Sequence, residues 1–110
     1  MKHPPKKEDL ALARRCAEVI RRIYPDAEVI LYGSRARGNP QPDSDLDLLV
    51  LSPKKLSWRE EARIIDILYP IELETGMVLS ALVEHKGTWR TAAYQVMPLA
   101  QGIAQDGVAL

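Results

Sequence analysis

Two short apolar runs, Ala27 to Tyr32 and Asp45 to Leu51, are split by a polar stretch holding Gly33, Gly38, Pro40 and Pro42. Runs rich in β-branched and large apolar residues, bounded by Gly, Pro, Asn and Asp, read as strands. The first enters an interior directly. The second alternates at Asp45 to Asp47 and then turns fully apolar, as a strand does when it begins at a surface and ends buried on both faces. Such a strand needs helices to cover it, and the flanking sequence supplies them. Leu12, Cys16, Val19 and Ile23 recur at helical spacing, widened by Leu10, Ala13, Ala17 and Ile20. Arg14, Arg15, Glu18, Arg21 and Arg22 fall largely outside that stripe. The pattern predicts an amphipathic helix from Lys6 to Tyr24, ended by Pro25.

Downstream, Lys54 to Tyr69 reads as a second helix stopped by Pro70. Ile71 to Glu74 and Met77 to Val83 read as extended segments either side of a bend at Gly76. Thr88 to Gln105 reads as a helical hairpin, or one helix broken at Pro98. The order α-β-β-α-β-α predicts an α/β (α+β) fold, a small mixed β-sheet packed against helices in two layers. With 110 residues, the chain fits one domain, 1–110, whose core rests on Leu, Ile, Val and Ala.

Charge narrows the function classes. Fifteen Lys and Arg balance fifteen Asp and Glu, so strong nucleic-acid binding, which draws on a basic excess, is not expected. A small phosphate ligand remains open, because it needs only a few local donors. The single cysteine, Cys16, has no partner for an internal disulfide or a zinc site and reads as a structural residue on the apolar side of its helix. No apolar run approaches the ~18 residues that span a membrane. The polar stretch Met1 to Glu8, with Pro4 and Pro5, is unlike a signal peptide, so the expected location is cytoplasmic.

The chemistry concentrates in Gly33-Ser34-Arg35-Ala36-Arg37-Gly38 and, shortly after, Asp45-Leu46-Asp47-Leu48. Gly33 directly after a strand permits a tight turn and close approach of backbone to a ligand. If the chain then turns into a helix, backbone N–H groups and the Ser34 hydroxyl converge as a phosphate cradle. Arg35 and Arg37 add charge-assisted donors. Asp45 and Asp47, two apart on a strand, place both carboxylates on one face, ~7 Å apart at the backbone. Hard oxygen ligands so placed suit Mg²⁺ shared with substrate phosphates. Each half alone is consistent with a plain turn and a solvated strand edge; the two together at this spacing are not.

Gly33-Ser34, ten residues, then Asp45-Leu46-Asp47 resembles the signature of the DNA polymerase beta-like nucleotidyltransferase superfamily. Gly-Ser-Arg-Ala-Arg-Gly and the small size resemble its bacterial minimal nucleotidyltransferases. The resemblance implies that Gly33, Ser34, Arg35 and Arg37 bind the triphosphate of ATP or another NTP. It implies Asp45 and Asp47 as catalytic Mg²⁺ ligands, with transfer of a nucleoside monophosphate, AMP in the first instance, to a hydroxyl of a protein or small molecule. It also implies a partner, a small helical protein as in a toxin–antitoxin pair; the short chain, offering one half of a substrate cleft, points to such a partner or to a second copy of itself for the other half. The family usually carries a third carboxylate on a later strand. Here the matching place falls near Gly76, and Glu74 is the nearest candidate, with Glu72 and Glu84 as alternatives. A second reading therefore stands beside the enzyme: a weak or inactive nucleotide-binding domain that works by binding a partner. Phosphohydrolysis with the same metal pair is disfavoured, since no water-activating residue stands out.

Trp58 after the capping Ser57 reads as a packing or edge residue rather than a base-stacking one, and His85 as a surface residue. Trp89 and Tyr94 read as core or partner-surface residues. The arginines of the first helix read as a solvated face, or one that docks an acidic partner.

Overall fold

The computed structural model describes residues 3–110. Helix α1 (Lys7–Ile23) carries Glu8 and Asp9 in its first turn and Arg21 and Arg22 in its last, matching the helix dipole at both ends. Its buried face is Ala13, Cys16, Ala17 and Ile20, continued toward the amino end by an acid, Asp9. Strand β1 (Glu28–Tyr32) follows, then the single turn α2 (Gly33–Ala36) and strand β2 (Leu46–Ser52). Helix α3 (Trp58–Thr75) returns the chain to β3 (Leu79–His85). Three short helices, α4 (Lys86–Trp89), α5 (Ala92–Gln95) and α6 (Pro98–Asp106), lead to β4 (Val108–Ala109).

The sheet order is β3-β2-β1-β4, with β2 parallel to β3 and β1 antiparallel to both β2 and β4. This is the expected small mixed sheet packed against helices. Its central strand β2 is buried at every position except Asp47. Leu46, Leu48 and Val50 face the larger cluster with Ala13, Cys16, Ile20, Ile64 and Leu68. Leu49 and Leu51 face the other way, under Trp89, Ala100 and Ile103. Trp89 and Tyr94 stack obliquely there, with centroids 6.2 Å apart.

Three local expectations are corrected. Helix α3 does not stop at Pro70; it runs on to Thr75 and ends at Gly76, whose φ of 72° forms a left-handed cap. The expected extended segment Ile71 to Glu74 is therefore helical. Pro70 removes one backbone bond and costs ~3 kcal/mol in a helix interior, but it is exposed, while Ile71 joins Ile64 and Leu68 on the buried face. Burying an isoleucine recovers ~1.5–3 kcal/mol, and the Ser57–Glu60 capping box secures the other end. Packing outweighs the local rule. Likewise, Pro98 does not break a long helix; it occupies the first turn of α6, where its missing N–H is not needed. His85 is half-buried rather than a plain surface residue: its Nδ1 accepts the Thr88 N–H at 3.3 Å and caps α4.

Candidate functional site

Antiparallel pairing sets Tyr32 opposite Asp47, so the turn that leaves β1 and the start of β2 meet at one end of the sheet. Gly33 sits at that turn with φ of 79°, a conformation costly for any residue with a side chain. Space imposes the same choice. A Cβ at Gly33 would collide with the Asp47 Oδ2 and lie 3.3 Å from its Cγ. The backbone therefore approaches the Asp47 carboxylate as closely as only glycine allows.

Asp45 is exposed and Asp47 half-buried, one residue on either side of the buried Leu46. Burial raises the Asp47 carboxyl above the usual carboxylate range, the Asp45 charge raises it further, and Arg37 pulls it partly back. Burial also raises the Tyr32 phenol, with a further push from Asp47. Tyr32, Gly33, Arg37, Asp45 and Asp47 thus form one electrostatic neighbourhood. It opens onto a cleft of about 220 Å³ lined by Tyr32, Gly33 and Arg37 on one side and Pro98, Leu99, Gly102 and Ile103 of α6 on the other.

Arg35 and Arg37 part company. Arg37 is exposed at the end of α2. Arg35 is buried, its Nη1 donating to both Asp9 oxygens at 3.1 Å and its Nε to the Ser44 carbonyl at 2.9 Å. That places its guanidinium between α1 and the residue before Asp45. Gly38, with φ of 75°, takes up the other side of the loop, where a Cβ would lie 2.9 Å from His3 Cβ. The loop carrying the aspartates is thus clamped by α1 and by the segment preceding it. Ser34 is half-buried in the first turn of α2.

The three glutamates are not gathered with the aspartates. Glu74 is exposed on α3 and pairs with Arg15 of α1. Glu84 is the partner of Leu51 in the sheet, four residues beyond Ser80, the partner of Asp47, and so ~13 Å along the strand. Glu72 lies at the right end of the sheet, but its Oε2 accepts the Leu79 N–H at 3.4 Å, on the helix side. The residue that faces Asp47 across β3 is Ser80. Among the described residues, no three His, Cys, Asp or Glu side chains gather closely enough to hold a metal.

Sequence reasoning missed Tyr32, Ser80 and Asp9. The first two become visible only through strand register. Asp9 carried a signal: it continues the spacing of Ala13, Cys16 and Ile20, and an acid in an apolar stripe asks for a buried partner.

Among the described residues, no helix is long and apolar enough to cross a membrane. The fold resembles a chain of a mutant toxin–antitoxin MntA–HpeT structure, with a TM-score of 0.61 and 13% identity over 88% of this chain and 70% of that one. Two proteins of Methanocaldococcus jannaschii, provisionally named protein adenylyltransferases, are 34% identical over 58% of this chain and 33% identical over 52%. The matches span 64% and 52% of those relatives' own lengths. The model of the nucleotidyltransferase domain matches residues 13–86, from within α1 to the start of α4. This chain belongs to the nucleotidyltransferase domain family.

Proposed function

We propose that the chain transfers a nucleoside monophosphate, AMP from ATP, to a hydroxyl of a partner protein or small molecule. The observation that carries this reading is the open approach of Gly33 to the Asp47 carboxylate, beside Asp45 and under Arg37. The donor set fits Mg²⁺: two hard carboxylates, one held at a charge its surroundings oppose, leave the other coordination positions to phosphate and water. Bound by Asp45 and Asp47, the ion would neutralise phosphate charge and favour departure of pyrophosphate.

The chain's own residues would do the rest. Gly33 and Ser34 would receive the phosphates, and Arg37 would offset the charge on the departing pyrophosphate. The apolar wall of α6 beside Gly33 offers the nucleoside a surface. The acceptor oxygen bonds to the α-phosphorus as the bond to pyrophosphate breaks. Arg35, engaged by Asp9 and Ser44, would hold the loop rather than touch phosphate. Glu74, paired with Arg15, would stand outside the reaction. With Ser80 facing Asp47, the acceptor's proton would pass to water or to a base the acceptor brings.

Incubation with Mg²⁺, ATP labelled at the α-phosphate and a hydroxyl acceptor should move label and release pyrophosphate. Asp45→Asn or Asp47→Asn should reduce transfer by ~10³-fold or more, since each removes a metal ligand; undiminished transfer by both variants would refute the site. With Ser80 facing Asp47 and no third acid beside the aspartates among the described residues, a second reading is favoured, a nucleotide-binding module that acts on a partner by association. ATP binding without pyrophosphate release, with every acceptor tried, would select it. The resemblance to a toxin–antitoxin structure makes a helical protein the first acceptor to try, with the chain in the antitoxin role.

A further inference from the structure

Helix α3 is apolar on two sides. Ile64, Leu68 and Ile71 face the core. At 100° per residue, Trp58, Ala62, Ile65, Tyr69 and Leu73 fall within an arc of about 80° on the outer surface. Trp58 is 73% exposed, Ile65 55%, Tyr69 57% and Leu73 68%, and Val78, just past the helix, is 54% exposed. Taking ~200 Å² for a large free side chain, these five present roughly 600 Å², at the upper end of what a monomer leaves uncovered. With flanking atoms, that approaches the ~800 Å² each partner contributes to a standard interface.

We propose that this face is a homodimer interface, in which α3 of a second copy packs antiparallel across a two-fold axis near Ile65. The stripe is complementary to its own reversal. About that axis, the small Ala62 meets the large Tyr69 of the partner subunit, and Trp58 meets the partner's Leu73. Alternation of large and small side chains lets facing layers interdigitate. Of the acids that border the stripe, Glu72 is turned to the Leu79 N–H of its own chain. Arg59 lies over the Trp58 ring, 5.2 Å from its centroid, leaving the ring's other face to the partner. α3 covers the sheet face opposite the one that carries Asp47, so both candidate sites stay open in the dimer.

Sedimentation equilibrium of the full chain tests this. A monomer–dimer equilibrium with a dissociation constant on the order of 10 µM is expected for an interface of this size. Ile65→Asp places like charges at the axis and should weaken association ~100-fold while leaving the circular dichroism spectrum intact. A monomer up to millimolar concentration overturns the proposal and assigns the stripe to a different protein. A dimer indifferent to Ile65→Asp overturns it as well.

Discussion

Replacing Arg35 with methionine separates a structural role for this residue from a phosphate-binding one. Arg35 is 7% exposed and its partner Asp9 3% exposed, joined by two contacts at 3.1 Å. Arg35→Met keeps most of the apolar volume but strands the Asp9 carboxylate in the interior. Breaking a buried pair from one side costs ~3–5 kcal/mol, whereas replacing both partners with apolar residues is near neutral. A chain of this size has ~5–15 kcal/mol of stability in all. At ~4 °C per kcal/mol, Arg35→Met should lower Tm by ~12–20 °C. The double variant Asp9→Leu/Arg35→Met should recover most of that loss, giving a coupling of about 3 kcal/mol in urea titrations. ATP affinity with Mg²⁺, measured by calorimetry well below each Tm, should change less than ~10-fold, because the remaining effect is only that of a looser loop. A structural role for Arg35 is refuted if Arg35→Met keeps its Tm but loses ATP binding, or if the double variant is as unstable as the two singles summed.

Gly33→Ala forces a side chain into a φ of 79° and against Asp47; it should cost ~2 kcal/mol in urea unfolding and reduce pyrophosphate release ~10²-fold or more. Asp47→Asn should raise the Tm of the metal-free protein at pH 7 while abolishing transfer. The sign follows from the raised carboxyl: ionisation of Asp47 is opposed in the folded state, so the advantage of Asn is present at neutral pH, fades as pH falls through the raised folded value and is gone below the unfolded carboxylate value of ~3.9. A Tm difference unchanged at pH 3 would contradict it. Burial pushes the Cys16 thiol up to about 11, so iodoacetamide at pH 8 should leave it unmodified until denaturant unfolds the chain; rapid labelling of the folded protein would show that α1 opens locally.

The parts of the fold that could be read from the sequence are those fixed by one periodicity at a time. The α1 stripe, the β1 and β2 runs and the sharp punctuation at Gly33 needed no distant partner. Pro70 misled because its local penalty is visible in sequence, whereas the burial of Ile71 against Ile64 and Leu68 that offsets it is not. That single change of element also moved Glu74. Extended, it would have led toward the sheet; helical, it turns outward to Arg15. The two-residue strand β4 is too short to announce itself and exists through pairing of Val108 and Ala109 with Leu31 and Ile30. Arg35 and Arg37 look alike in sequence. What separates them is Asp9, 26 residues away, which draws one guanidinium inside and leaves the other at the surface.

The site sits where the fold has least to gain from it. Gly33 holds a turn that any side chain would strain, and the Asp47 charge is opposed by burial and by Asp45. None of these choices helps the chain fold, so something else must hold the loop between Arg37 and Asp45 in register. The Asp9–Arg35–Ser44 contacts do that from the α1 side, and the approach of His3 and Pro4 to Gly38 does so from the other. A buried ion pair is an expensive way to gain stability, because desolvation cancels most of its attraction. It is a precise way to fix a loop, since Arg35 must satisfy Asp9 and the Ser44 carbonyl at once. The clamp therefore accounts for how a turn that is unfavourable on its own terms keeps Asp45 and Asp47 pointed at the space Gly33 leaves open.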